Sequence, residues 1–369
     1  MRILLIGKYP PCQGGVATRY YWLYKNLSIR FNWSFEVVTM LKSPYITPDM
    51  VKTKGVSVCP IFAQDSSSPW FIPHVDLAVE RLVSAALDLC KVNKPDLIEC
   101  NYLAPYGVAA ATVAAILKCP LIIRPAGSDI GKLLNWKATQ SCLYALFQIS
   151  KGIMLPEDRI KSFKTYFNNH RNIISTPRYA PDPVAFNFIS PLPKKTILVI
   201  GKINYHWRLK ALDTLIEAIK DMPEWHLNCI VDGLHTEDFQ SLLSNQLSQS
   251  QYTYNSFVSP EQVPSLIKKT WGVWNVLRTG GVSDFPNLHW ETLASGRYSF
   301  ISPLLFNHND MSSARKNPLS INLDPDNPSD FKKQCNSLPY SSTYSLIPEF
   351  EQQFQNYISF HKSIYEDLI

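Results

Sequence analysis

Short apolar runs alternate with helix-length segments along this chain, and this alternation constrains the fold more than any other sequence feature. The apolar runs of the N-terminal half have the length of buried strands and lie at 2–7, 35–40, 56–61, 96–101 and 120–124. Helix-like segments lie between them at about 16–29, 75–91 and 104–117. Strands separated by helices of this length form a parallel, doubly wound sheet. Ligands of such sheets bind beyond the carboxyl ends of the strands.

The chain is long enough for two such sheets. It has 369 residues, more than one hydrophobic core usually organises, so two domains of under about 200 residues each are expected. A Pro-rich stretch with little periodicity runs from Pro177 to Pro193, and a second series of strands and helices starts at Lys195. We therefore predict a first domain, a linker, a second domain and a terminal helix at 1–182, 183–194, 195–347 and 348–369.

A glycine loop followed by a short helix marks a candidate binding site in the second half. Gly281 closes a Gly-Gly pair, where the backbone can approach a ligand closely. Ser283 or Asp284 can cap the helix that follows, and a helix N-terminus offers N–H groups to a phosphate. Asn287 and Glu291 share one edge of this helix, where a carboxylate can accept hydrogen bonds from sugar hydroxyls. The stretch is typical of either a nucleotide-sugar site or an ordinary loop and helix packed on a sheet.

Charge is divided unevenly between the two halves of the chain. The net charge is +6, but residues 1–190 hold 21 Lys and Arg against 12 Asp and Glu, whereas residues 191–369 hold 15 against 18. The first half therefore carries a surplus of +9. Such a surplus indicates an anionic partner, such as a membrane surface or a phosphate-bearing acceptor, or else a solvated basic face. Nucleic acid is not expected, because no nucleic-acid-binding motif accompanies the charge.

One basic segment, 157–171, has a helical pattern of its own. It reads EDRIKSFKTYFNNHR and places Ile160, Phe163 and Phe167 on one face among basic residues. Such a helix either packs its apolar face on the core or lies on a membrane surface. Both interpretations remain open from the sequence.

Cysteine, histidine and hydropathy patterns bear on the cellular compartment. The eight cysteines are scattered, and neither they nor the histidines have the spacing of a zinc site. Free thiols in a reducing compartment are therefore expected. The uncharged, largely apolar run Asn101–Leu117 is shorter than the roughly 20 residues of a membrane span, and the N-terminal apolar stretch is too short for a signal peptide. We predict a cytoplasmic protein without a transmembrane helix.

The order of a glycine loop, F-P-N, a glutamate and A-S-G within 280–296 resembles the signature of retaining glycosyltransferases of family 4. The resemblance implies an α/β chain with the GT-B fold, in which two Rossmann-like, doubly wound domains face each other across a cleft. The last helix of that fold crosses back to the first domain. The resemblance also implies a hexosyltransferase-type enzyme that moves a sugar from a nucleoside diphosphate sugar to a glycan, lipid-linked or small-molecule acceptor. Retention of configuration, and a place in polysaccharide or glycoconjugate biosynthesis, follow from the same resemblance.

The same resemblance assigns residues to the donor diphosphate and ribose. The segment that begins at Gly201 is similar to a family motif in which an arginine and a lysine clamp the diphosphate, and Lys202 and Lys210 take their places. Arg208 lies close enough in sequence to compete for this role. Glu291 matches the glutamate that holds the ribose. No metal or other cofactor is implied, since cationic side chains and helix N–H groups stabilise the leaving diphosphate in that family.

Three loops complete the site that the resemblance implies. Gly281 and Leu288 offer backbone contacts near the phosphates and the sugar. Gly14 and Gly15 belong to a Y-P-P…G-G loop whose glycines approach donor phosphate and acceptor in the family, although a tight helix-entry turn is the alternative. Asp129 lies in a loop similar to the family's H-G-S-D loop, where it either accepts a hydrogen bond from a donor or acceptor hydroxyl or caps a helix.

The sequence departs from the family pattern at two polar positions. Ser283 stands where the family has the glutamate that holds donor-sugar hydroxyls, with Asp284 beside it, and Ala126 stands where the family has a histidine. A GT-B protein that has lost catalysis and serves as a binding or partner subunit is therefore one alternative. A nucleotide-sugar epimerase of the same fold is another. For the enzyme, a peripheral position at the inner face of the membrane is consistent with the basic N-terminal half.

Overall fold

The chain divides into two compact units, each with its own sheet and core. The computed structural model describes residues 1–41, 51–62, 77–131, 133–167, 172–187, 195–203, 207–278, 286–306, 317–339 and 347–369. Unit 1 comprises Met1–Cys12, Val16–Tyr179 and Gln355–Ile369, and unit 2 comprises Gln13–Gly15 and Ala180–Phe354. Residues 183–187 of the predicted linker therefore belong to unit 2.

Unit 1 contains, within the described residues, a sheet of seven parallel strands. These are β1 (Arg2–Ile6), β2 (Ser34–Leu41), β3 (Val56–Phe62), β4 (Leu97–Asn101), β5 (Leu121–Arg124), β6 (Gly152–Pro156) and β7 (Ile173–Thr176). Their order is β3-β2-β1-β4-β5-β6-β7. The direction of winding reverses between β1 and β4, which is the doubly wound arrangement. The loops that follow these two strands therefore leave the sheet side by side.

Helices connect these strands and cover the sheet. They are α1 (Gly15–Phe31), α2 (Ala78–Cys90), α3 (Val108–Leu117), α4 (Gly127–Gly131), α5 (Gln140–Ile149), α6 (Glu157–Tyr166) and the end of α13 (Ile347–Asp367). Helices on both faces explain why the central strands are continuously apolar. In β1, for example, every residue from Ile3 to Ile6 is fully buried.

A charged group is buried inside unit 1. Glu99, in β4, has no exposed surface, and its Oε1 lies 2.9 Å from Nε of Arg124 at the end of β5. The hydroxyls of Tyr20, Tyr24 and Tyr365 donate hydrogen bonds to the same carboxylate at 2.8, 2.8 and 2.5 Å. We call these five residues the Glu99 cluster. It joins two strands to α1 and to the last turn of α13.

Unit 2 repeats the architecture with a sheet that has six strands in the described part of the chain. They are β8 (Thr196–Lys202), β9 (His226–Asp232), β10 (Tyr252–Asn255), β11 (Gly272–Asn275), β12 (Tyr298–Ile301) and β13 (Ser320–Asn322), in the order β10-β9-β8-β11-β12-β13. All pairs are parallel. The winding reverses between β8 and β11, so unit 2 has the same switch point as unit 1.

The helices of unit 2 pack around an aromatic core. They are α7 (Leu212–Lys220), α8 (Thr236–Gln246), α9 (Val263–Lys268), α10 (Asn287–Ala294), α11 (Pro303–Phe306) and α12 (Pro328–Ser337). The buried ring of Trp271 lies 4.9 Å from that of Trp225 and 5.7 Å from that of Phe300, measured between centroids. Edge-to-face and tilted contacts of this kind are the arrangements that aromatic pairs prefer.

The fold class predicted from the alternation is confirmed, because both units contain a doubly wound parallel sheet. Ser259 and Pro260 have the residue types that open a helix, but the helix of this segment, α9, begins at Val263. The sequence analysis did not identify β6, β7 or α5. In the described ranges, no helix is both long and apolar enough to cross a membrane. All eight cysteines are described, and none forms a disulfide.

Candidate functional site

The switch point of the unit 2 sheet carries the cationic residues singled out in the sequence. β8 ends at Lys202 and pairs with β11. The segments that follow these strands therefore leave the sheet together at its carboxyl edge, where doubly wound sheets bind ligands. After β8 the chain forms a 3₁₀ turn, Trp207–Lys210, just before α7. After β11 it continues through Arg278, which lies close to that turn.

The 3₁₀ turn is held in place by hydrogen bonds that three of its consecutive backbone carbonyls accept. The Arg208 carbonyl accepts a hydrogen bond from Nη1 of Arg278 at 2.5 Å, and the Leu209 carbonyl accepts one from the Arg278 backbone N–H at 2.9 Å. The Lys210 carbonyl accepts a hydrogen bond from the indole Nε1 of Trp274 at 2.8 Å. These bonds fix the backbone that carries the Arg208 and Lys210 side chains.

Arg278 is itself held by acceptors from two other segments. Its guanidinium forms ion pairs with Asp213 at 2.7 Å and Asp326 at 2.6 Å. It also donates hydrogen bonds to Thr214 Oγ1 at 2.8 Å and to the Pro325 carbonyl at 3.1 Å. With the carbonyl of the 3₁₀ turn, all five N–H donors of the guanidinium have an acceptor. The D-P-D segment at 324–326 thereby supports the arginine that holds the turn.

Arg278 and Trp274 are positioning residues that the sequence analysis did not identify. Trp274 lies in β11, and Arg278 follows the buried run WGVWNVL that contains this strand. An arginine directly after a buried strand was the available signal. It did not indicate which segment the side chain would hold, because the partners are 47 to 70 residues away in sequence.

Lys210 points back toward the end of β8. Gly201 has a φ of +143°, and a Cβ at this position would lie 2.7 Å from Nζ of Lys210. Burial lowers the pKa of Lys210 to about 8 from its ordinary 10.5. In the part of the chain that the structure describes, no carboxylate forms an ion pair with this ammonium. A bound diphosphate would supply the negative charge that favours its protonated form.

The lowered pKa predicts that nucleoside diphosphate binding depends on pH. Below pH 8 the ammonium is already protonated, so its contribution to affinity should be constant. Above pH 8 the free protein loses this proton and binding must restore it, so affinity should fall by up to about tenfold per pH unit. Isothermal titration calorimetry of UDP in buffers of different ionisation enthalpy should show proton uptake above pH 8.

Lys210→Arg is the matched control, because a guanidinium stays protonated over this range. Its affinity for UDP should not fall above pH 8, and proton uptake should disappear. The ligand-free protein offers an independent readout. Since the unfolded state binds more protons between the two pKa values, the free energy of unfolding should rise with pH from about 8 to 10.5 in the wild type. An unchanged pH profile in Lys210→Arg would assign the dependence to another group.

The predicted Gly14–Gly15 loop belongs to unit 2, where it lies beside Lys202 and Asn287. A Cβ on Gly14, which has a φ of +126°, would lie 3.8 Å from Cε of Lys202. The Gly15 carbonyl accepts a hydrogen bond from Nδ2 of Asn287 at 2.8 Å. Asn287 is the first residue of α10. The structure therefore brings together the end of β8, this glycine loop and the start of α10.

α10 is more deeply buried than its sequence pattern indicates. The pattern predicts one buried stripe with Asn287 and Glu291 beside it, but these two residues expose only 8% and 2% of their surface. His289, in the same helix, is fully buried, and its Nδ1 lies 2.7 Å from Ser299 Oγ. Leu288 is half-buried. The ribose role of Glu291 stays a prediction.

Several predicted site residues lie outside the described residues. They are Gly281, Ser283 and Asp284, all in the glycine loop before α10. Their assigned contacts with phosphate and sugar stay predictions. Among the described residues, no group of three His, Cys, Asp or Glu side chains is placed to hold a metal ion.

Asp129 has a structural role in unit 1. Its Oδ2 accepts hydrogen bonds from the backbone N–H groups of Ala126 at 2.8 Å and Leu103 at 3.1 Å, and the residue exposes 5% of its surface. The carboxylate thereby ties the loop after β5 to the residues after β4. These bonds resemble the helix-cap alternative, and the predicted contact with a hydroxyl is untested.

Comparison with known proteins identifies the fold. No protein-family model and no curated protein sequence matches the chain. Solved structures do match: sucrose-phosphate synthase from Thermosynechococcus elongatus is 13% identical with a TM-score of 0.67, covering 100% of this chain and 98% of that one. The Anabaena protein HepE in complex with UDP and glucose is 12% identical with a TM-score of 0.66, covering 97% and 99%. The chain has the GT-B fold.

The GT-B fold is shared by proteins with different reactions. UDP-GlcNAc 2-epimerase from Neisseria meningitidis, bound to UDP-GlcNAc, is 13% identical to this chain with a TM-score of 0.55, covering 96% and 94% of the two chains. At these identities the likeness establishes the fold, and the activity has to be argued from the site.

Proposed function

We propose that this protein is a glycosyltransferase that uses a nucleoside diphosphate sugar as donor. The observation that carries the proposal is the Lys210 ammonium, held beside Gly201 at the switch point of unit 2 with its pKa lowered to about 8. A protein gains little stability from a partly buried ammonium without a counter-ion, whereas at a diphosphate site the bound anion would be that counter-ion. HepE, which has the same fold, is described in complexes with UDP and with UDP-glucose.

In the proposed reaction, the bond between the sugar C1 and the diphosphate oxygen breaks as the acceptor hydroxyl oxygen bonds to C1. The bonding electrons leave with the diphosphate, which becomes more negative and takes up the acceptor's proton. Lys210, with Lys202 and Arg208, stabilises this developing charge. No metal or other cofactor is needed for this step, because the cations are supplied by the chain itself.

The finer features of the proposal follow the family resemblance. They are membership of family 4, retention of configuration, transfer of a hexose, and a role in polysaccharide or glycoconjugate biosynthesis. Glu291 holds the ribose and Asp129 a hydroxyl of donor or acceptor. The acceptor is a glycan, a lipid-linked sugar or a small molecule, reached from the cytoplasmic side. Peripheral association with the inner face of the membrane is supported by the surplus of +9 in residues 1–190.

A panel of nucleotides and nucleotide sugars tests the donor site. Nucleoside diphosphates should raise the melting temperature of the purified protein in the presence of chelator, because binding to the native state stabilises it by RT ln(1 + [L]/Kd). The measurement is a thermal unfolding scan with and without added Mg²⁺ or Mn²⁺. Stabilisation that disappears with chelator and returns with a divalent ion would contradict the metal-free site.

The same samples separate transfer from the two alternatives. With a nucleotide sugar that binds and a panel of acceptors, release of nucleoside diphosphate together with a glycosylated acceptor supports transfer. Conversion of the donor sugar in the absence of an acceptor, monitored by NMR, would instead support an epimerase. This alternative is tested because the Neisseria epimerase has a similar fold. Binding without either reaction would support a catalytically lost partner subunit.

A further inference from the structure

The loops that follow β1 and β4 lie side by side at the switch point of the unit 1 sheet. Ile6 of β1 is level with Cys100 of β4 in the register of the two strands. Continuing along both strands brings Lys8 level with Tyr102. Because doubly wound sheets bind ligands beyond this edge, these two residues stand where unit 1 would receive a ligand.

The backbone of Lys8 is fixed to the end of β4. Oδ1 of Asn101 accepts a hydrogen bond from the Lys8 N–H at 2.7 Å, and Nδ2 of Asn101 donates one to the Lys8 carbonyl at 3.0 Å. Asn101 exposes only 1% of its surface. Gly7 leaves the space for this side chain, because a Cβ on Gly7 would lie 2.7 Å from Oδ1 of Asn101. The chain therefore holds Lys8 through both of its backbone polar groups.

The side chain of Lys8 is positioned by an aromatic ring. Its Nζ lies 4.1 Å from the centroid of the Tyr102 ring, which is within the range of a cation–π interaction. A lysine side chain has many rotamers, and restricting them costs free energy. Contact with the ring offsets part of that cost and keeps the ammonium at the switch point. Tyr102 is therefore a positioning residue for Lys8.

Tyr102 has a backbone conformation that residues with a side chain rarely adopt. Its φ is 71° and its ψ is 141°, which lies outside the left-handed helical region. Hydrogen bonds hold the backbone here: the Tyr102 N–H donates to the Arg124 carbonyl at 3.2 Å, and the Leu103 N–H donates to Oδ2 of Asp129 at 3.1 Å. Backbone strain of this kind is concentrated at binding and catalytic sites.

We propose that Lys8 binds an anionic group, either a phosphate or a carboxylate, on the acceptor. The half-buried ammonium attracts an anion by a Coulomb interaction that a neutral sugar hydroxyl lacks, and partial burial strengthens this interaction. The surplus of +9 in residues 1–190 attracts anionic ligands to the same part of the chain. The inference rests on the proposed function, because it names the class of acceptor for that reaction.

Lys8 selects the acceptor and takes no part in breaking the bond to the donor diphosphate. The anionic group it binds is separate from the acceptor hydroxyl that reacts. Its contribution should therefore appear in the choice between charged and neutral acceptors, whereas the variants of Lys210 change the rate with every acceptor.

Acetylation of lysines in the full chain tests the anion site directly. Inorganic phosphate and acetate represent the two anionic groups, and sodium chloride at equal ionic strength is the reference. With UDP at saturation, phosphate or acetate should slow the acetylation of Lys8, measured by peptide mass spectrometry. Lys137, an exposed lysine of the same unit, is the internal control, and its rate should stay constant.

The same measurement distinguishes the possible ligands of Lys8. Protection by phosphate alone would identify a phosphate-bearing acceptor, and protection by acetate alone would identify a carboxylate. Equal rates at Lys8 in phosphate, acetate and chloride would overturn the proposal. Protection by UDP alone, with no further effect of either anion, would assign Lys8 to the donor and would also overturn it.

Acceptor kinetics test the consequence for transfer. The acceptors are sugars that differ only in carrying a phosphate, a carboxylate or neither. Lys8→Gln should lower kcat/KM for the preferred charged acceptor by about 10- to 100-fold, because it removes a hydrogen bond between two charged groups. The neutral acceptor and the donor KM should not change, and Lys8→Arg should keep most of the preference. Equal losses with charged and neutral acceptors would indicate a structural role instead.

Two variants of Tyr102 test its role in positioning Lys8. Tyr102→Phe keeps the ring and should bind phosphate like the wild type. Tyr102→Leu removes the ring face and should weaken phosphate binding about two- to fivefold, the size of one cation–π contact. The readout is the phosphate concentration that half-protects Lys8 from acetylation. Wild-type protection in Tyr102→Leu would show that the ring does not position the ammonium.

Nucleotide binding separates this inference from the proposed function. Lys8→Gln should keep the wild-type rise in melting temperature with UDP. A chain that UDP stabilises, but in which neither anion protects Lys8, overturns the acceptor inference alone. A chain in which phosphate or acetate protects Lys8, but which no nucleotide stabilises, overturns the proposed function and leaves the anion site in place.

Discussion

Replacing Lys210 with alanine should lower kcat for sugar transfer by about 10² to 10³ and leave the chain folded. The diphosphate gains negative charge as the bond to the sugar breaks, so a cation aimed at it contributes more to the transition state than to the ground state. The magnitude is that of removing one donor from an oxyanion hole, about 3–4 kcal/mol. Steady-state kinetics with the donor identified by thermal shift provide the measurement, and circular dichroism checks the fold.

Three other variants show whether the effect is specific to Lys210. Lys333→Ala removes an exposed lysine of α12 and should change neither kcat nor donor KM. Glu291→Ala should mainly raise the donor KM, because ribose hydroxyls do not change charge in the reaction. A mild Lys210→Ala combined with a severe Arg208→Ala would move the clamp to Arg208 and keep the function. A wild-type chain that binds donors but transfers to no acceptor would favour the catalytically lost partner.

Glu99→Gln should lower the free energy of unfolding by about 3–5 kcal/mol. The substitution keeps the size of the side chain but leaves the Arg124 guanidinium buried without its counter-ion, which is the costly way to break a buried ion pair. The three tyrosine hydroxyls that donate to Glu99 would also lose a charged acceptor. Urea unfolding followed by circular dichroism provides the measurement.

Two comparisons show whether the loss of stability in Glu99→Gln arises from the burial of the ion pair or would follow from breaking any ion pair. Glu366→Gln breaks an exposed pair with Lys362 on α13, the helix that supplies Tyr365, and should cost about 0.3–0.5 kcal/mol. Adding Arg124→Met to Glu99→Gln should recover part of the loss, because it removes the unpaired charge. If Glu99→Gln costs no more than Glu366→Gln, the carboxylate contributes little to the stability of unit 1.

The sequence determined the parallel, doubly wound class of the sheets, although it did not reveal β6, β7 or α5. Runs such as Ile3–Ile6 and Ile197–Ile200 are apolar throughout, because helices cover both faces of their sheets, and this pattern is visible in the sequence alone. Pro286 is the N-cap of α10 and Gly296 follows its C-cap, and both positions are visible in the sequence because proline and glycine act on the backbone of their own residues. The positions of Lys202 at the end of β8 and of Lys210 after it could likewise be predicted from the neighbouring residues in the sequence.

Only the tertiary structure decided how these elements hold one another. The five acceptors of Arg278 come from segments before and after it in the chain. In the Glu99 cluster, the carboxylate of Glu99 accepts a hydrogen bond from Tyr365, which is 266 residues away. The hydrophobic periodicity of a sequence predicts whether a side chain is buried, but it does not predict which residue of a distant segment contacts that side chain. The low pKa of Lys210 belongs to the same class, because it arises from desolvation by the folded surroundings rather than from neighbours in sequence. Hydrogen bonds and desolvation between distant segments exist only once the sheet order has brought those segments together.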